Sequence, residues 1–168
     1  MAFNYVSGEP VTGFSEGRPL FVRSANDNFT LANFMRAQLY GSLVVLKIGN
    51  DVLFREENVK VDRITGHGGL FKTPVVGQKI LAAALNSPIS VMETAGEGGA
   101  WGIALLAGFL VNNLSRLPLP DYLDKIVFGG NTGTEIAPDP ADVAGFETWL
   151  AAYKAAFPIE RAAVECTK

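Results

Sequence analysis

Apolar positions change their spacing several times along the chain, and each change marks an element. Residues 1–30 show no sustained period and are rich in Gly, Pro, Ser and Asn, which predicts loops with one short strand at Leu20-Phe21-Val22-Arg23. From Leu31 the apolar positions Leu31, Phe34, Met35, Leu39, Val45, Leu46, Val52 and Leu53 recur near helical spacing, with Thr30 as N-cap. This predicts one long helix from about Leu31 to Glu56, loosened around Gly49. Val59 to Thr65 then alternates as a strand with one buried face does.

Thr73-Pro74 predicts the start of a second helix, with Thr73 as N-cap and the proline where its missing N–H is harmless. That helix ends near Asn86-Ser87-Pro88. Ile89 to Glu93 reads as a strand, and Thr94-Ala95-Gly96-Glu97 as a capping box opening a third helix. Strand–helix–strand–helix order favours an α/β layer with a parallel pair. Residues 113–140, with Pro118, Pro120, Pro138 and Pro140, read as mainly irregular. Asp139-Pro140 then starts a final amphipathic helix whose inner face holds Val143, Phe146, Trp149, Leu150 and Tyr153. One domain is expected, with residues 1–112 as its core and 113–168 as an irregular excursion plus terminal helices.

Composition narrows the classes. At 168 residues, 48% hydrophobic and 18% charged, the chain is long and apolar enough for a real core. Its net charge of −3 offers no basic footprint, so nucleic acid is not an expected partner. The most apolar run, Ile103 to Val111, is too short to span a bilayer, and no signal-peptide pattern opens the chain, so no membrane partner is expected either. The single cysteine, Cys166, has no partner for a disulfide or a zinc site, which fits a cytoplasmic protein.

Two segments could carry chemistry. Ile64-Thr65-Gly66-His67-Gly68-Gly69-Leu70 lies between a strand and a helix, where glycines let backbone approach a flat or anionic ligand. Its spacing is neither a dinucleotide fingerprint nor a Walker loop, and a tight turn chosen for its φ angles explains it equally well. The helix opening Ala95-Gly96-Glu97-Gly98-Gly99-Ala100-Trp101-Gly102 gathers small residues on one side, a smooth face for close approach or for ordinary tight packing. His67, the one histidine, and Lys72 are candidates of lower rank, and no nucleophile–base pair or metal cluster shows.

Several segments in order resemble the C-terminal domain of the FGGY carbohydrate kinases. Tyr5-Val6-Ser7-Gly8-Glu9 is similar to the family's Y-L-S-G-E segment. Asn33 to Gly41 resembles its R-A-x-L-E-G helix, with Tyr40 in the acidic position. Ile64 to Leu70 followed by Thr73-Pro74 is similar to its adenosine motif, with His67 and Leu70 as departures, and Glu97 to Ala107 resembles its E-x-x-A-x-G-A-A-x-L-A helix. The resemblance covers about residues 1–112. It implies an α/β, ribonuclease H-like (actin-like ATPase) domain with a C-terminal helical extension, binding ATP with Mg. It implies that Gly66, Gly68, Gly69, Leu70 and Thr73 line the adenosine, and that Ala100, Gly102 and Ala104 lie near an interdomain hinge. The substrate implied is a ketose, a pentulose such as xylulose or ribulose, phosphorylated at a primary hydroxyl.

The resemblance places the sugar pocket, the catalytic aspartate and the first phosphate loop in a preceding N-terminal kinase domain, and the second phosphate loop before Phe3. No catalytic residue is therefore expected among these residues, and the chain alone is expected not to turn over sugar. A stand-alone adenine-nucleotide-binding module and a structural or regulatory module, including a homo-oligomer, are the alternatives.

Overall fold

A computed structural model describes residues 1–61, 63–113, 115–129 and 133–168. The chain divides into two compact units, one from Met1–Val61, Ala83–Asn86 and Pro138–Lys168, the other from Asp62–Ala82 and Ser87–Ala137.

In the first unit, β1 (Ala2–Phe3) pairs antiparallel with β2 (Leu20–Phe21). The strand expected over Leu20–Arg23 is thus shorter. Helix α1 (Leu31–Asp51) starts where expected, with the Thr30 hydroxyl accepting from the Asn33 N–H at 3.2 Å. It is regular through Gly49; the loosening comes three residues later, where Val52–Glu56 widens into a π-turn. Gly41 has a packing reason, because a Cβ there would lie 2.6 Å from the Ala2 carbonyl oxygen of β1.

The closing helices α5 (Pro140–Ala155) and α6 (Phe157–Cys166) belong to this same core. Asp139 caps α5 by accepting from the Ala141 and Asp142 N–H groups. Phe146, Leu150 and Tyr153, spaced three and four apart, turn inward: Tyr153 stacks on Phe3 at 4.5 Å and Phe146 meets Tyr40 at 4.7 Å. Among the described residues Lys47 and Glu160 are buried charges, and the Glu160 Oε2 oxygen is buried without a partner. Lys47 pairs with Asp51 and Glu147, and Glu160 accepts the Arg18 N–H at 2.6 Å.

The second unit holds a three-stranded sheet of β3 (Ile64–Gly66), β4 (Ile89–Val91) and β5 (Thr134–Ile136), in the order β3-β4-β5. The expected parallel pair is present, with Thr65 opposite Ser90, and α2 (Val76–Leu85) runs between its strands in sequence. β5 adds antiparallel to β4, Ser90 opposite Glu135. Gln78 of α2, 6% exposed, ties the sheet by donating to the Ile89 and Thr134 carbonyls at 3.2 and 2.9 Å. Helix α3 (Gly98–Asn112) and the short α4 (Leu119–Tyr122), continued by a π-turn at Leu123–Val127, complete it.

Several expectations are corrected here. The strand expected from Val59 begins only at Ile64, because its partner β4 offers three residues; Val59 and Val61 are exposed, and Asp62 lies outside the described residues. β4 likewise stops at Val91 rather than Glu93. Thr73 does not cap α2. Val75 sits at φ 70°, a left-handed conformation that breaks the path from Pro74, so the helix begins at Val76. The capping box at Thr94 is also absent: Ala95–Glu97 forms a single 3₁₀ turn, the Thr94 hydroxyl is buried without a partner, and Glu97 reaches Lys72 instead. Within the stretch 113–140 the described residues carry α4, the π-turn and β5, between irregular segments.

Candidate functional site

Chain direction sets the site. Both parallel strands of the second unit end at the same edge of the sheet, and ligands of α/β sheets settle beyond that carboxyl edge. β3 leaves it through His67–Gly68 into a 3₁₀ turn at Gly69–Lys72, and β4 leaves it through Met92–Thr94 into the turn at Ala95–Glu97. The Gly68 N–H donates to the Ala95 carbonyl at 2.7 Å and holds the two turns together. Lys72 Nζ and Glu97 Oε1 join them at 2.6 Å on the outside. The Lys72 hydrogen bond, and then its charge, hold the Glu97 carboxyl below its ordinary value.

The residues singled out in the sequence have distinct situations in this turn. Gly66 is buried, and a Cβ there would overlap the Phe71 ring, so its need for glycine is internal packing. Gly68 sits at φ 109°, ψ −176°, a conformation essentially confined to glycine. Gly68 and Gly69 both point their missing Cβ into open space, with nothing within 4 Å. A ligand can therefore reach this backbone directly. Leu70 is half-buried; its carbonyl oxygen lies 2.7 Å from where a Gly77 Cβ would be, which explains the glycine in α2. Thr73 is exposed and extended at φ −94°, ψ 103°, on the approach to α2 rather than on it.

Ala100, Gly102 and Ala104 lie on α3, no side chain of which is buried. Ile103, Leu106, Leu110 and Val111 stand between 51% and 82% exposed on the same helix. That is a large apolar surface for one helix to leave open.

The sequence did not point to the cleft of about 270 Å³ that opens beside the turn, bounded by Arg63, Thr65, His67, Ser90, Asp124 and Phe128. Thr65 and His67 come from the expected motif, but Asp124 and Phe128 come from the Pro-rich stretch that carried no motif. A second cavity, of about 290 Å³, lies in the first unit among Phe21, Phe29, Phe34, Tyr40 and Trp149 and contains none of the residues proposed from the sequence. Among the described residues no group of three or more His, Cys, Asp or Glu could hold a metal ion. No helix of the described residues is long and apolar enough to cross a membrane.

A parallel strand pair that ends in a glycine turn, with an antiparallel third strand and helices around it, makes this a mixed α/β domain. The model of the FGGY family of carbohydrate kinases, C-terminal domain, matches residues 2–111, well over half of the chain. The protein belongs to this family and carries its C-terminal domain. No curated protein and no solved structure matches the chain.

Proposed function

We propose that this chain is the ATP-binding half of a ketose kinase, with a pentulose such as xylulose or ribulose as substrate. The observation that carries the nucleotide assignment is the Gly68-Gly69 turn: strained toward glycine at one residue, open at both, and set at the carboxyl edge of a parallel pair. In this reading the fold is ribonuclease H-like, with residues 1–112 as the family core and 113–168 as its helical addition. The adenosine of ATP runs along Gly66, Gly68, Gly69, Leu70 and Thr73. Gly66 acts by letting the turn close on Phe71, whereas Gly68 and Gly69 expose backbone to the ligand. The departure at Leu70 is tolerated because this recognition uses backbone groups.

Magnesium, implied by the family, would be carried by the nucleotide phosphates and by one or two carboxylates. It would neutralise the charge of phosphoryl transfer there. Ala100, Gly102 and Ala104 give α3 a smooth surface that an N-terminal kinase domain covers on closure, which accounts for an apolar helix with no buried side chain. The resemblance assigns the catalytic base to that partner domain, so the 168 residues by themselves bind nucleotide without turnover.

A second reading, a structural or self-associating module, is favoured by the same exposed face of α3. Thermal-shift series with Mg-ATP, Mg-ADP and Mg-GTP, run beside sedimentation, separate the two. Adenine-selective stabilisation of a monomer supports the kinase half. A stable oligomer whose melting ignores nucleotide contradicts it.

A further inference from the structure

The cavity of the first unit is built by one face of α1 and by aromatic rings. Asn33, Arg36, Ala37 and Tyr40 recur at the three- and four-residue spacing that sets side chains along one face of a helix, and all four line it. Ala37, the small residue among them, leaves room. Phe21 packs against Phe34 at 5.0 Å and against Phe29 at 5.8 Å, and Phe29 is still 53% exposed. Trp149 of α5 adds a further ring, edge-on to Tyr40 at 5.2 Å.

Arg36 and Tyr40 are uncommitted. The Arg36 guanidinium is exposed and has no hydrogen bond or ion pair with another described residue. Tyr40 is only 8% exposed, yet its hydroxyl has no hydrogen-bond partner among the described residues, whereas a buried phenol usually finds one. Tyr40 stands where the family motif has an acid; a carboxylate there, one helical turn from Arg36, would neutralise the guanidinium that this chain leaves free. The acid of the wall, Asp27, is spent on the Ser24 N–H at 2.7 Å and the Ser24 hydroxyl at 2.6 Å. Arg23 is held over the Phe29 ring at 4.7 Å, and the Met1 amino group donates to the Val22 carbonyl at 2.6 Å.

Size and charge select the ligand. About 290 Å³ lies just below the roughly 300–1,000 Å³ of pockets that enclose drug-sized molecules, and above the ~150 Å³ that takes up benzene, so one ring with a short substituent fits. Arg23 and Arg36 against Asp27 leave one positive charge among the ionisable side chains of the wall, the Met1 amino group aside. A single negative charge answers that balance, whereas a dianion would be left partly uncompensated beside apolar rings. Aromatic walls favour a flat ring over an alkyl chain, because ring pairs gain beyond the area they bury.

We propose that this cavity binds a small aromatic carboxylate, its ring among Phe21, Phe34 and Trp149 and its carboxylate accepting from the Arg36 guanidinium and the Tyr40 hydroxyl. Residues four apart on a helix are surface neighbours, so both donors can meet one carboxylate. No residue of the glycine turn lines the cavity, and the proposal does not rest on the nucleotide reading.

Titration of the full chain with benzoate and with benzyl alcohol, a neutral ring of similar size, followed by NMR chemical shifts, tests this. Benzoate is expected to bind about tenfold more tightly, the order of one hydrogen bond to a charged group. Arg36→Gln removes that preference with Tm unchanged, because Arg36 is exposed and unpartnered among the described residues. Tyr40→Phe weakens benzoate and leaves benzyl alcohol as it was, and Ala37→Leu, which fills the room, abolishes both. Gly69→Trp leaves benzoate binding unchanged. No saturable binding of benzoate, equal binding of the neutral ring, or a preference that survives Arg36→Gln overturns the proposal. Acetate bound as tightly as benzoate overturns it in favour of a plain anion site, and loss of benzoate in Gly69→Trp overturns it by moving the ligand to the glycine turn.

Discussion

Gly68→Ala and Gly69→Ala are adjacent, chemically identical changes that should have opposite consequences. At Gly68 the added methyl meets no atom within 4 Å, so no collision arises. The backbone, however, is held at φ 109°, ψ −176°, where a non-glycine residue costs on the order of 1–3 kcal/mol. Losing glycine's freedom in the unfolded chain returns about 0.4–1 kcal/mol. The net expectation is a loss of about 1–2 kcal/mol of stability, read as a lower midpoint of urea unfolding at unchanged slope. Gly69 is not at positive φ and its Cβ direction is equally open, so Gly69→Ala should be neutral or slightly stabilising. If a nucleotide lies against that backbone, the same methyl occupies its space, and Mg-ATP affinity should fall by about tenfold or more. Wild-type stability in Gly68→Ala would refute the conformational argument. Wild-type ATP binding in Gly69→Ala would refute close approach of the ligand, and would leave the glycines as a turn chosen for its angles.

Other consequences concern the supports of the two units. Lys47, nearly buried, lies 3.0 Å from Asp51 and 2.8 Å from Glu147. Breaking a buried pair costs about 3–5 kcal/mol, but both carboxylates touch solvent and keep Arg55 at 3.3 and 3.2 Å, so Lys47→Met should cost about 1–3 kcal/mol by chemical denaturation. Burial pushes the Glu147 carboxyl up, yet the hydrogen bond and charge of Lys47, then Arg55, outweigh it and hold the group below its ordinary 4.5. A depressed folded-state value gives stability that is present above 4.5 and lost as pH falls through the folded value; unfolding midpoints measured down this range should drop less in Lys47→Met than in wild type. Gln78→Leu removes both hydrogen bonds to the Ile89 and Thr134 carbonyls and should cost about 1–3 kcal/mol, with faster amide exchange in β4 and β5; unchanged exchange would contradict the tie. Thr94→Val deletes a buried hydroxyl that has no partner and should leave stability equal or higher by about 1 kcal/mol, whereas a clear loss would restore the capping box.

What could be read in advance divides by the length of the pattern. Twenty-one residues of α1 and sixteen of α5 repeat their apolar spacing often enough to be recognised, and Thr30 and Asp139 mark their starts chemically. The parallel pair was legible because Gly66–Gly69 and Pro88 punctuate its strands. Strands of two or three residues hold too few alternations, so Val59–Asp62 looked as strand-like as Ile64–Gly66. The helix starts at Thr73 and Thr94 misled for one reason: a cap motif describes local preference, and the left-handed Val75 and the Lys72–Glu97 pair override it. In the site, the glycine turn announced itself through composition. Asp124 and Phe128 could not, since they reach the cleft wall only because α4 and its π-turn set them beside the sheet, and nothing in their spacing encodes β3 as a neighbour.

We propose this chain as the adenine-nucleotide half of a carbohydrate kinase. Its most direct test is calorimetric titration of the intact chain with Mg-ATP, repeated with Mg-ADP, Mg-GTP and the Gly69→Trp variant. Weak binding that prefers adenine and disappears in Gly69→Trp is the expected result. Binding indifferent to the base, or equally strong in Gly69→Trp, would contradict it.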